Sequence, residues 1–81
     1  MIRWERPCPV GTPNTRYYCV HLQQDLFGCW VLTRVWGRKG SRRGRIIHTL
    51  VDTQITGERS IARIARQRTR HEYRLVAGYP P

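Results

Sequence analysis

Apolar and polar residues alternate from Arg16 onward. Over residues 16–23, Tyr18, Val20 and Leu22 fall on one face of a strand and Tyr17, Cys19 and His21 on the other. The turn composition Gln24-Asp25-Leu26-Phe27-Gly28 then leads into residues 29–36, which are rich in β-branched and aromatic side chains and apolar on both faces, as a strand inside a sheet requires. Residues 37–45 form a glycine-punctuated connection, and residues 46–51 restore a strand composition. Three antiparallel strands in meander order are the simplest arrangement. The period then changes. Ile61, Ala62, Ile64 and Ala65 share one arc at 3.6-residue spacing, which predicts a helix from about residue 56 to 70, entered at Asp52 or Thr53 with Asp52 as its cap. Residues 72–77 suit a short last strand, and residues 78–81 a poorly ordered tail.

These elements describe an α+β fold, a small twisted antiparallel sheet with one amphipathic helix packed on a face. The 81 residues leave room for one core only. The expected division is an N-terminal arm at 1–15, the folded domain at 16–77 and the tail. Pro7, Pro9, Gly11 and Pro13 resist regular structure in the arm, with room for an edge strand at residues 2–5. Trp4, between Arg3 and Arg6, is either an aromatic contact on a basic arm or a ring folded back over an open sheet face, and the pattern leaves both open.

Charge changes the picture most. Fifteen basic residues stand against five acidic ones, a formal net charge of +10, and Lys39 is the only lysine. Arginine offers a planar fork of donors that grips phosphate bidentately and stacks on bases, so the bias points to nucleic acid rather than to solubility alone. The cations are also grouped. Arg34, Arg38, Lys39, Arg42, Arg43 and Arg45 crowd one acid-free segment, and Arg59, Arg63, Arg66 and Arg70 line up on the helix side opposite the apolar arc. If loop and stripe share one face, a single polyphosphate track follows; opposite faces imply two partners.

The thiols and imidazoles add no chemistry of their own. Cys8, Cys19 and Cys29 are odd in number and lack a CxxC pair, so they read as reduced thiols, and their spacing with His21, His48 and His71 matches no zinc pattern. No nucleophile, base and carboxylate stand at readable spacing, so no enzyme activity, cofactor, metal or small-molecule substrate is expected. Asp25 suits a turn and Glu58 a helix N-terminus. The first residues lack a signal peptide's apolar core and no stretch reaches membrane-spanning length, which points to a cytoplasmic protein that does not engage membranes.

The tripeptide Trp36-Gly37-Arg38 closes the aromatic strand immediately before the basic loop. An aromatic ring, a residue without a side chain and a guanidinium together offer stacking, close approach and charge. The whole order, strand, Asp-containing turn, aromatic strand, Trp-Gly-Arg, Gly-rich loop, strand and helix, resembles the WGR domain over residues 17–73. That family occurs in poly(ADP-ribose) polymerases and in small bacterial proteins, and the resemblance implies an antiparallel sheet with a helix across it and DNA binding. It further implies that Trp36 stacks on a sugar or base at a strand end, that Arg38 makes polar contacts beside it, and that Gly37 allows close approach. The chain departs from the polymerases in carrying no catalytic domain, which suggests a stand-alone module, and in its arginine-rich helix. DNA is therefore the expected partner ahead of RNA, without sequence selectivity; the competing reading is a module that docks an acidic protein.

Overall fold

The computed structural model describes residues 1–7 and 15–81; Cys8, Pro9, Gly11 and Pro13 of the expected arm lie outside the described residues. The described residues form five strands, β1 (Ile2–Arg6), β2 (Arg16–Gln24), β3 (Trp30–Arg38), β4 (Gly44–Val51) and β5 (Arg74–Ala77), and one helix, α1 (Gln54–Arg70). All strand pairs are antiparallel and the spatial order is β4-β3-β2-β1-β5. The α+β class and the β2-β3-β4 meander are as the alternation predicts. After β4 the chain crosses one face of the sheet as α1 and returns at the opposite edge as β5.

The N-terminal stretch departs from expectation. β1 is not an edge strand, because it pairs with β2 on one side and with β5 on the other. As far as Arg6, the segment read as an arm is therefore part of the sheet. Trp4 resolves accordingly. Its ring is only 2% exposed and meets Tyr18 edge-on at 6.3 Å. Hydrophobic burial places the indole over the sheet and under the helix rather than on a basic arm.

Local chemistry fixes the joints. In the β2–β3 turn the Asp25 side chain accepts the backbone N–H groups of Phe27 and Cys29 at 2.8 and 2.9 Å, and Gly28 takes φ +79, open to glycine at little cost. The helix is capped by Thr53, not Asp52: its hydroxyl accepts the N–H of Thr56 at 3.1 Å, and α1 begins two residues earlier than the periodicity predicts. Gly57, Ile61 and Ile64 form the buried face of α1. The closeness of its first turn to the sheet depends on Gly57, where a Cβ would come within 2.6 Å of Leu22.

The core consists of Trp4, Tyr18, Val20, Leu32, Ile61 and Ile64, all between α1 and one sheet face. Among the described residues the other face carries no helix and presents Cys19, His21, Thr33 and His48; Cys19 is buried there beside Arg3, His21 bonds Gln23, and His48 bonds the Thr33 hydroxyl at 2.9 Å. Among the described residues no helix is long and apolar enough to cross a membrane. With a core this small, Trp4→Ala is expected to cost about 3–5 kcal/mol. Denaturant titration should show loss of most of the domain's stability, whereas a ring on a solvated arm would leave the midpoint unchanged.

Candidate nucleic-acid interface

Strand register builds the site. On the helix-bearing face, Trp4 stands opposite Tyr18, and Tyr18 opposite Trp36, so three aromatic residues form one row across β1, β2 and β3. Two residues along each strand, Arg6 stands opposite Arg16, and Arg16 opposite Arg38, forming a parallel row of three arginines. Like charges directly opposite on neighbouring strands destabilise a sheet, and no carboxylate lies within ion-pair reach of this row among the described residues. Arg45, opposite Trp36 on β4, extends the aromatic row in positive charge.

Trp36 is neither free nor fully buried. Its ring stacks on Tyr18 at 5.7 Å with the planes 15° apart and packs against the core, while the Arg34 guanidinium lies 5.9 Å from the ring centroid. The indole is thus half core and half surface. Gly37 is enclosed by its own neighbours. The space a side chain would fill there is already taken: a Cβ would lie 3.1 Å from the Arg43 carbonyl and 3.3 Å from the Tyr17 hydroxyl, and Gly44 across the strand meets the same hydroxyl at 3.1 Å. Close approach is used by Tyr17 on the face away from the helix, with Arg3 over its ring at 4.7 Å.

The remaining cations separate into groups. Arg38, Arg43 and Ser41 line a shallow cleft with Arg16 at the loop end of the sheet, and Arg42 is exposed in the loop. Lys39 turns the other way, to Glu5 at 3.3 Å, where Arg3 also bonds the carboxylate at 2.9 Å. Arg59, Arg63, Arg66 and Arg70 are all exposed. Helical geometry turns the stripe away from the sheet, and Arg63 and Arg34 line one cleft beside α1. Loop and stripe therefore share the helix-bearing side.

Arg68 is the side chain that the charge pattern does not reveal. It lies on the apolar arc, four residues after Ile64, and its guanidinium sits over Tyr18 at 4.4 Å and Tyr73 at 4.9 Å. Its Nε is buried and has no partner among the described residues. Arg6 completes the cluster over Tyr73 at 5.4 Å. The helix-spacing signal for Arg68 is visible in the sequence; its aromatic partners come from distant segments.

The WGR domain family model matches residues 7–78. The chain belongs to the WGR domain family. No curated protein and no solved structure matches it. The family's naming tripeptide occupies the end of β3, where this chain's aromatic and arginine rows meet.

Two outcomes follow. Arg3 and Lys39 hold the Glu5 carboxyl below its ordinary 4.5, the hydrogen bond from Arg3 contributing most. This stabilisation is complete above the ordinary value and is lost as pH falls through the lowered one, so Glu5→Gln should lower the melting temperature slightly at neutral pH, as fits an exposed ion pair, and the two melting-temperature profiles should converge as pH falls below about 4.5. Trp36→Ala should cost about 1–3 kcal/mol in denaturant unfolding, less than a fully buried ring.

Proposed function

We propose that this WGR domain is a non-catalytic nucleic-acid-binding module that grips phosphates near a DNA strand end. The observation that carries the reading is the pair of parallel rows, Trp4-Tyr18-Trp36 and Arg6-Arg16-Arg38, on one face. An arginine row without acids is unfavourable in isolation, and a polyanion relieves it. Arg34, Arg42, Arg43 and Arg45 widen the positive field, and Arg59, Arg63, Arg66 and Arg70 extend it over the helix on the same side. Lys39 is the weakest candidate, since Glu5 already partners it.

The indole of Trp36 supports an end preference. Tyr18 covers one face of the ring and the Arg34 guanidinium lies 5.9 Å from its centroid, so a terminal nucleotide that lacks a stacking neighbour would take the part of the half-buried indole that stays exposed, with Arg34 beside it. Internal nucleotides are already stacked on both faces. Phosphate grips and one stacked ring read charge and shape, so sequence selectivity is not expected.

Titration against matched single-stranded, blunt linear and covalently closed circular DNA tests the proposal. Four to six arginine contacts predict a log–log salt slope of about −4 to −5 on duplex. Arg16→Ala with Arg38→Ala should lower affinity for linear and circular DNA alike, and linear DNA should bind more tightly than circular. A flat salt response, or no binding to any of the three, rejects the reading; equal affinity for linear and circular forms rejects the end preference alone.

A further inference from the structure

β4 is an edge strand, exposed from Gly44 to Leu50, and α1 does not cover it. Between α1 and the β3–β4 surface opens a cleft of about 260 Å³. Leu32 and Ile64 form an apolar floor, Thr49, Ser60 and Gln67 line it with hydrogen-bonding groups, and two arginines enter from different elements, Arg34 from β3 and Arg63 from α1. Neither arginine has an ion-pair partner among the described residues. Guanidinium groups do not shed their charge, so two in one cleft repel until an anion sits between them. An apolar floor with a few polar groups and a positive wall suits a flat ring that carries a phosphate.

We propose that this cleft seats one unpaired nucleotide, with its base over Leu32 and Ile64 and its phosphate between Arg34 and Arg63. The inference rests on the nucleic-acid reading above and makes its ligand more specific. Arg34 joins the cleft to Trp36, since its guanidinium also lies 5.9 Å from that ring. Leu32 and Trp36 are four residues apart on one strand, about 13 Å at 3.3 Å per residue. A duplex base step is only about 3.4 Å, so a nucleotide in the cleft is not stacked on one over Trp36. The ligand that reaches both is a duplex end carrying a short single-stranded extension.

The test uses duplexes that differ only in an unpaired extension of zero to four nucleotides on either strand. Affinity should rise at least about fivefold over the blunt duplex once the extension reaches the cleft, the lower end for one seated base. Ser60→Leu fills the cleft and should abolish that gain, leaving blunt-duplex affinity within about twofold. Gln67→Glu, an isosteric change at an exposed position, places a carboxylate beside the arginines and should also abolish the gain; it keeps the test valid if Ser60→Leu does not fold. A parent protein that binds blunt and extended duplexes equally overturns the cleft assignment and leaves the nucleic-acid reading standing. A gain that survives both substitutions also overturns the assignment. Failure to bind any duplex removes the nucleic-acid reading, and this inference with it.

Discussion

The row of aromatic rings across β1, β2 and β3 is the interaction on which the structure depends. Tyr18 is its centre: Trp4 meets it edge-on, Trp36 stacks on it, and Arg68 from α1 lies over it. One tyrosine thus ties the N-terminal strand, the strand that ends in the family tripeptide and the helix to one another. Aromatic pairs contribute about 0.5–1.5 kcal/mol beyond the area they bury, a substantial share in a domain this small. The proposed interface stands on the same rings, so fold and site cannot be altered independently at Trp36.

Charge is distributed by the same register. Antiparallel pairing sends alternate residues to opposite faces, and on β3 this puts Arg34, Trp36 and Arg38 on the helix-bearing side. Arg3, Glu5 and Lys39 form a small network involving the other face and its margin, while among the described residues the helix-bearing face has no acid paired with its arginine row. The asymmetry arises from Glu5, which among the described residues is the one acid within a strand and alternates to the face opposite Trp4, and not from the net charge.

Much of this was legible in the sequence, because most elements announce themselves by local period. The alternation in β2, the aromatic run of β3 and the apolar arc of α1 each depend on neighbouring residues, and so does the Trp36-Gly37-Arg38 tripeptide. β1 was harder: Ile2–Arg6 is short and charge-rich, and its interior place comes from pairing with strands at both distant ends of the fold. Asp52 and Thr53 are both competent caps, and a one-residue choice of entry lies below what composition resolves. Arg6 and Arg16 join the site only through cross-strand register with Arg38. Arg68 is tolerated on an apolar arc only because Tyr18 and Tyr73 arrive from elsewhere in the chain.

The uncovered edge at β4 has a consequence for handling and engineering the protein. Ile46, Ile47 and Leu50 are exposed on a strand whose outer backbone groups can accept another strand. Repulsion between molecules that each carry +10 opposes that association. The arginines thus also act as gatekeepers of colloidal stability. Substitutions that strip charge to weaken ligand capture lower the barrier to edge-to-edge aggregation as well, and neutral, strand-breaking changes on β4 are the natural companions to such variants.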